Sequence, residues 1–156
     1  QMRRKENYRR QHKPDRIYDR VDFGRFINYL MEKGEKTVAE KNFYQTLEIL
    51  KSGMKSDPVK TFEKAIENIS PLVEVVSKRI GGANYQVPRE VRMDRRFFLA
   101  CGWLIDAARK KKGKPIAQKL AEEIMAASKN EGAAIKKKQD THRMAEANRA
   151  FASFAR

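Results

Sequence analysis

The side chains that could carry chemistry in this sequence are chiefly basic, and they fall in three clusters. Residues 1–16 hold seven Lys or Arg against two acids, residues 109–119 hold six and no acid, and residues 136–138 are three lysines close to Arg143. Any one such cluster is as typical of a solvated face as of a binding surface. Three clusters with few compensating acids favour binding to the phosphates of a polyanion.

Residues that enzymes use for nucleophilic or metal chemistry are few. The chain has two histidines, His12 and His142, and one cysteine, Cys101. A zinc site needs clustered Cys and His ligands, and a general base needs a nucleophile and an orienting partner beside it. Neither arrangement can be placed here, so we interpret His12 as solvated or phosphate-bound, His142 as a packing or hydrogen-bonding residue and Cys101 as a core side chain. The sequence predicts no enzyme, cofactor, metal site or small-molecule substrate.

Composition sets further bounds. The chain has 156 residues, a formal charge of +15 and a pI near 10.1, with 40% apolar and 35% charged residues. This suits one domain, 1–156, with a real core. The longest apolar run, Phe97–Cys101, is far below the ~20 residues of a membrane span, and no basic cluster pairs with an apolar face. A single cysteine cannot form an intrachain disulfide, so a reducing, cytoplasm-like compartment is expected.

Helical spacing of apolar residues predicts the elements that carry these clusters. Asp22, Asp57 and Asp94 are predicted N-caps, and Thr37–Glu40 has the form of a capping box. The last helix is expected to bury Met144, Ala147 and Phe151 and to leave Arg143 and Arg149 outside. The six predicted helices cover approximately residues 22–34, 37–53, 57–70, 94–113, 115–130 and 134–151.

Between the third and fourth helices the pattern changes. Residues 72–92 are rich in β-branched side chains on either side of Gly81 and Gly82, which predicts a β-hairpin. Pro88 would remove a hydrogen bond from a central strand, so we expect an isolated two-stranded ribbon. The predicted fold is therefore mainly α: a single-domain bundle of about six helices with one protruding hairpin and a basic extended N-terminal arm, residues 1–16.

Three questions stay open at this level. Trp103 lies off the apolar stripe of its helix and either packs against another element or offers a stacking face. Glu122 and Glu123 are interpreted as a solvated or salt-bridged surface. Ribbon arms on a basic helical body also occur in architectural DNA-binding proteins, and this is the alternative function from another class.

Three segments carry a family resemblance. They are Gly81–Pro88 (GGANYQVP), Arg92–Arg96 (RMDRR) leading into Trp103–Ile105 (WLI), and His142–Phe151 (HRMAEANRAF). Together they closely resemble the family of small-subunit ribosomal protein seven, in its bacterial form. The likeness runs from the loop at Lys33 to Phe154 and so covers nearly the whole chain.

The resemblance implies a structural constituent of the ribosome. Members bind the 3′ major domain of 16S ribosomal RNA, nucleate assembly of the head of the small subunit, and lie near the exit-site tRNA and the mRNA path. Their implied neighbours are the small-subunit proteins nine, eleven, thirteen and nineteen. A cytoplasmic bacterial ribosome is expected, with an organellar ribosome as the alternative, and no membrane partner.

Basic side chains on several elements suit structured RNA, which is recognised by shape, backbone and unpaired bases. With the resemblance, this assigns candidate sites. Tyr85 either packs on the body or stacks on a base. Glu35 and Gly102 stand where the family commonly has basic residues, so a contact is lost at each, or at Gly102 a partner approaches the backbone closely. The predicted tRNA- or mRNA-proximal residues are Lys78, Arg79, Gly81, Gly82 and Tyr85. The predicted RNA-binding residues are Arg3, Arg4, Lys5, Arg9, Arg10, Lys13, Lys36, Arg92, Arg95, Arg96, Arg109, Lys110, Lys111, Lys112, Lys114, Lys136, Lys137, Lys138, Arg143 and Arg149.

Overall fold

The described chain consists of helices and one β-hairpin, which lies between the third and fourth helices in sequence. The computed structural model describes residues 10–155, so four predicted arm residues, Arg3, Arg4, Lys5 and Arg9, lie outside the described part. In order, the elements are α1 (Val21–Leu30), α2 (Lys36–Gly53), α3 (Pro58–Ile69), β1 (Val73–Ile80), β2 (Ala83–Glu90), α4 (Met93–Lys110), α5 (Ile116–Ser128), α6 (Ala133–Ala147) and a 3₁₀ helix (Arg149–Ala155). The predicted fold class is confirmed. The described chain divides into two compact units at the Glu40–Lys41 bond, and the single-domain organisation stays a prediction.

The first unit contains α1 and the segment that leads into it. Asp15 is buried, and its carboxylate accepts the backbone N–H groups of Ile17, Tyr18 and Arg20 at 2.9–3.1 Å. The arm predicted over residues 1–16 therefore ends in a tight turn at residues 16–18, because this carboxylate folds the chain back on itself. A methyl group at Gly24 of α1 would collide with the carbonyl oxygen of Lys13, which keeps this segment close to the helix.

The core of the second unit lies among its helices. α3 packs on α5, and α4 packs on α5 and α6. Leu104, Leu120 and Ile124 have no exposed surface, and the rings of Phe43 and Phe62 meet edge to face with centroids 5.8 Å apart. The predicted apolar stripes of α2, α3, α4 and α5 supply this core, because residues spaced three and four apart share one helix face.

Helix starts follow the predictions only in part. Asp57 caps α3 by accepting the Val59 N–H at 3.0 Å, as predicted. Asp22 and Asp94 are not N-caps. The N-cap residues are Arg20 for α1 and Arg92 for α4, so each helix begins one residue before the acid that was predicted to cap it. Both acids lie instead in the first turn, where a negative charge still interacts favourably with the helix dipole.

The hairpin has the predicted form. β1 and β2 pair antiparallel in a two-stranded sheet, with Glu74 opposite Arg89 and Val75 opposite Pro88. No further strand pairs with it among residues 10–155, which is consistent with a proline in the second strand. Gly81 and Gly82 turn the chain at positive φ angles of 58° and 86°, a conformation that side-chain-bearing residues rarely adopt.

The end of the chain differs from the prediction. α6 stops at Ala147 instead of continuing to Phe151, because the Asn148 side chain donates to the Met144 carbonyl at 2.8 Å and competes with the helical pattern. Met144 is 52% exposed and Ala147 is also exposed, so the predicted core stripe of this helix is wrong. Phe151 lies on the 3₁₀ helix and turns towards the hairpin.

Candidate nucleic-acid interface

A cleft between α4 and α6 brings together basic residues that are far apart in sequence. Lys110 near the end of α4 and Lys136 and Lys137 near the start of α6 line a cavity of about 160 Å³, together with Trp103 and two acids, Asp106 and Asp140. The lysines are exposed and the indole is half-buried. We call this the α4–α6 cleft. Trp103, on α4, thus lines the cleft opposite residues of α6 and leaves part of its surface accessible beside three cations.

Arg96 and Lys138 form a second pair of neighbouring cations, and no carboxylate of residues 10–155 pairs with either. The Lys138 ammonium donates to the carbonyl of Asn68 at 2.8 Å, and the Arg96 guanidinium contacts the Met93 sulfur at 3.4 Å. Burial, and after it the charge of Arg96, lowers the pKa of Lys138 below its ordinary value of 10.5. Within residues 10–155, the Arg96 Nε is buried with no hydrogen-bond acceptor. An anion bound here would accept a hydrogen bond from the Arg96 Nε and would offset the repulsion between the two cations.

The basic run after α4 is partly neutralised by α5. Lys111 lies 3.0 Å from a carboxylate oxygen of Glu123, and Lys114 pairs with Glu122. The hydrogen bond from Lys114 lowers the pKa of the Glu122 carboxyl. The ammonium of Lys119 donates to the Lys111 carbonyl at 2.7 Å. Spatial proximity therefore supplies the acids that residues 109–119 lack in sequence.

Glu123 is not the solvated side chain that one of our interpretations allowed. It is 1% exposed, and its carboxylate accepts the backbone N–H of Ala134 at 3.0 Å in the first turn of α6. Its pairing with Lys111 matches the salt-bridged interpretation. The residue therefore joins the end of α4 to the start of α6, the two sides of the α4–α6 cleft.

A second cleft, of about 600 Å³, lies at the base of the hairpin. Arg89, Arg92 and Arg95 line it around Glu74, which is only 7% exposed. Arg89 donates from Nε and Nη2 to one oxygen of Glu74 at 2.9 and 2.7 Å, and Arg95 lies 3.4 Å from the other oxygen. Arg95 also lies over the Phe98 ring, 5.1 Å from its centroid. We call this the hairpin-base cleft.

Sequence reasoning missed Arg89 and Glu74 as members of this cleft. In the sequence Glu74 is one polar residue among the apolar residues of a strand, and Arg89 lies outside the three basic clusters. The antiparallel register places the two side chains directly opposite each other, and the start of α4 brings Arg95 to the same point. The register that follows from the Gly81-Gly82 turn was the only signal that could have found the pair.

The remaining predicted contacts are spread over the surface. Arg143 and Arg149 make exposed pairs with Asp140 and Glu146, three residues before them, at 3.6 and 3.3 Å. Such pairs are weak and compete little with phosphate. The structure brings none of the others into either cleft. The predicted contact residues that are exposed and line neither cleft are Arg10, Lys13, Lys36, Arg109 and Lys112.

The hairpin divides its predicted contacts between its tip and its shaft. Gly81, Gly82 and Arg79 are exposed near the turn. Tyr85 packs against the 3₁₀ helix, with ring centroids 5.2 Å from Phe151 and 5.8 Å from Phe154, and Lys78 donates to the Phe154 carbonyl at 2.6 Å. The packing interpretation of Tyr85 therefore describes the protein without its partners.

His142 lies where α6 meets the base of the hairpin. Its Nε2 accepts the backbone N–H of Leu72 at 3.2 Å. Burial, and after it the charge of Lys138, lowers the pKa of His142 below its ordinary value of 6.5. The ring therefore has a structural role as a hydrogen-bond acceptor, in agreement with the interpretation of His142 as a packing or hydrogen-bonding residue.

The described part of the chain has neither a cluster of metal-ligating side chains nor a membrane-spanning helix. No three of its His, Cys, Asp and Glu side chains come together in a way that could hold a metal ion. None of its helices is long and apolar enough to cross a bilayer.

Comparison with known proteins decides the family. Residues 2–149 match the family model described as ribosomal protein S7p/S5e. The chain belongs to this family. It is 54% identical to the small ribosomal subunit protein uS7 of Thermotoga neapolitana over 153 residues, covering 98% of this chain and 99% of the relative. The uS7 proteins of Thermotoga maritima and Cellvibrio japonicus are 51% and 48% identical, with at least 97% of each chain covered.

Family membership gives the coarse function. The S7p/S5e chain is a structural constituent of the small ribosomal subunit, in a cytoplasmic ribosome of bacterial type, and is not an enzyme. The resemblance seen in its three sequence segments is confirmed.

Proposed function

We propose that this protein is a primary binder of 16S ribosomal RNA. It binds the 3′ major domain, nucleates assembly of the small-subunit head, and lies near the exit-site tRNA and the mRNA, with ribosomal proteins nine, eleven, thirteen and nineteen as neighbours. The observation that supports this most directly is the α4–α6 cleft, where lysines from two helices converge on a half-buried tryptophan.

The chemistry of the cleft fits structured RNA. Three ammonium groups against two carboxylates leave a net positive charge that attracts phosphates, and the accessible part of the indole gives an unpaired base a partner for stacking. Arg96 and Lys138 add a pair of cations that lacks a carboxylate within the described residues. Because these groups lie on several elements, they suit an RNA that surrounds the protein better than a single duplex groove.

The hairpin contributes separately. Its exposed tip, Gly81 and Gly82 with Arg79 nearby, is the part available to a tRNA or an mRNA, whereas Tyr85 and Lys78 already contact the 3₁₀ helix. Shortening residues 80–84 to a two-residue turn should leave affinity for the 3′ major domain nearly intact and weaken tRNA binding at the exit site of reconstituted subunits. Loss of rRNA affinity instead would contradict this division.

Affinity measured against salt tests the proposal. The full chain is titrated with a 3′ major domain RNA fragment across a range of KCl concentrations, with bent duplex DNA as competitor. Each neutralised phosphate contributes roughly 0.7–0.9 to the log–log slope, so several contacts should give a slope well above one. A slope near one, or displacement by the DNA at equal concentration, would overturn the proposal and favour the architectural DNA-binding alternative.

A further inference from the structure

The hairpin-base cleft has the features of a prebuilt phosphate site. Glu74 uses each of its two oxygens for an arginine from a different element, Arg89 from β2 and Arg95 from α4. A buried carboxylate with two charge-assisted partners holds them in a defined geometry. The two guanidinium groups are thus brought together before any ligand arrives.

Both arginines keep donors for a ligand. The side chains of Arg89 and Arg95 are 50% and 47% exposed, whereas that of Glu74 is 9% exposed. Only Nε and Nη2 of each arginine point at Glu74, and the Nη1 groups have no acceptor within the described chain. A guanidinium presents five N–H donors in a planar fork that matches phosphate oxygens, so donors remain for an anion in the cleft.

The charge around the cleft is also positive. Arg92 adds a third guanidinium, and Glu90 is the second acid in the lining. Arg92 precedes the first turn of α4 and makes no side-chain cap to it, so the N–H groups of that turn have no side-chain acceptor from the N-cap. These donors and the positive end of the helix dipole favour an anion at the same place.

Resting on the proposed function, we infer that the hairpin-base cleft binds a phosphodiester of the RNA backbone through Arg89, Arg92 and Arg95, with Glu74 as the residue that positions them. Glu74 touches no RNA in this arrangement. Its role is preorganisation: two long side chains held in one geometry lose less freedom when the phosphate binds. The acid therefore strengthens binding to a polyanion although its own charge opposes it.

A positioning role and a purely electrostatic role of Glu74 predict opposite changes in RNA affinity when its charge is removed. Glu74→Gln and Glu90→Gln each remove one negative charge from the same cleft, and only Glu74 holds arginines. Affinity for the 3′ major domain fragment should fall roughly threefold to tenfold in Glu74→Gln and stay equal or rise in Glu90→Gln. If Glu74→Gln binds as tightly as Glu90→Gln, Glu74 has no positioning role and the inference is wrong.

Two further measurements separate the possible failures. Arg89→Gln, a change at a half-exposed side chain, should lower the salt slope by roughly 0.7–0.9, and it serves if Glu74→Gln does not fold. An unchanged slope would contradict the site. NMR of the full chain titrated with inorganic phosphate should shift the Nε–H signals of Arg89 and Arg95 in the wild type and less in Glu74→Gln. If the wild type shifts in this way yet fails to bind the RNA, the anion site stands and the proposed function fails. If phosphate shifts neither arginine, the site is wrong.

Discussion

At the scale of single residues, two buried acids organise the basic surface of this protein. Glu123 joins the end of α4 to the start of α6, and Glu74 joins the hairpin to the start of α4. Both are charged side chains that would be costly to bury alone, and each is compensated by cations and hydrogen bonds. A protein of high positive charge thus uses its few buried acids to place its cations.

Removal of the Glu123 carboxylate should destabilise the fold. Glu123→Ala leaves the Ala134 N–H without its acceptor and Lys111 without its buried partner, so the free energy of unfolding should fall by about 2–4 kcal/mol. Urea denaturation followed by circular dichroism measures this. Glu122→Ala, at an exposed neighbour, is the matched control and should leave the midpoint nearly unchanged. Equal effects of the two changes would show that Glu123 has no special role.

Gly102 offers a second test at this scale. It lies inside α4, and a methyl group added there would meet no atom within 4 Å. Gly102→Ala should therefore raise the free energy of unfolding by about 0.5–1 kcal/mol, because alanine has the higher helix propensity. Urea denaturation measures the stability, and no gain would contradict the argument. RNA affinity of the same variant decides between the two interpretations of this glycine: a loss means that RNA approaches the backbone here.

At the scale of elements, α6 and the 3₁₀ helix hold the hairpin against the body. α6 contacts β1, and the 3₁₀ helix lies along β2. The contacts at the base depend on the neutral His142 ring, and those along the shaft on the aromatic group of Tyr85, Phe151 and Phe154. The stability of the hairpin's attachment is therefore sensitive to pH at one end and to ring packing at the other.

The pKa of His142 predicts a pH dependence of stability. Well above pH 6.5 the ring is neutral in the folded and unfolded chain alike. As the pH falls below 6.5 the unfolded chain takes up a proton that the folded ring resists, so the free energy of unfolding decreases until the lowered folded-state pKa is passed. Urea denaturation between pH 7 and pH 5 should show this loss.

His142→Gln is the control for that measurement. It removes the titrating ring, while Lys138, Arg89, Glu90, Glu146 and Arg149, the charged groups around this site, remain. The wild type should lose stability relative to this variant as the pH falls through 6.5. A difference between the two that stays constant over the range would show that His142 does not titrate as its burial predicts.

The aromatic group predicts how the 3₁₀ helix is attached. Tyr85→Ala removes the ring that contacts both Phe151 and Phe154. The 3₁₀ helix should therefore lose its packing contacts with β2, while the helical core keeps its stability. Amide exchange read by mass spectrometry should rise in residues 149–155 and stay unchanged in α5. Tyr44→Ala, outside this group, is the control. If residues 149–155 of Tyr85→Ala exchange as slowly as in the wild type, the packing argument is contradicted.

At the scale of the whole molecule, some of the cations that make up the +15 charge are paired with other groups of the protein and others are exposed to solvent. Lys111, Lys114 and Lys119 have partners on neighbouring protein elements, whereas the lysines of the α4–α6 cleft are exposed. Charge without a protein partner is what RNA can neutralise, so the effective binding charge is smaller than the net charge and sits in particular places.

The salt slope of RNA binding should reveal this placement. The double change Lys136→Gln, Lys137→Gln should lower the slope by roughly 1.4–1.8, because two phosphate contacts are lost. Lys60→Gln, Lys64→Gln on α3 removes the same charge from residues that line neither cleft and should lower the slope by much less. Equal slopes for the two double variants would mean that only total charge matters.

Periodicity and turn chemistry were readable from the sequence alone. The stripes of α2 to α5, the cap at Asp57 and the isolated two-stranded hairpin were all predicted, since they depend on neighbours a few residues apart. The end of α6 was not, because Asn148 and the aromatic contact of Phe151 with Tyr85 outweigh the helical spacing there. The caps predicted at Asp22 and Asp94 were wrong, since α1 and α4 begin one residue before these acids; helix ends are the least certain part of a spacing argument.

The sequence by itself determined that this chain is a basic, mainly helical protein of the ribosomal S7p/S5e family, because net charge, short-range spacing and three long motifs are properties of the linear chain. Only the tertiary structure decided which cations are available. It paired Lys111 with Glu123, brought Lys110 beside Lys136, and set Arg89 and Arg95 on Glu74. The physical reason is that Coulomb and hydrogen-bond energies depend on distance in space, and side chains tens of residues apart acquire that distance only when the helices pack.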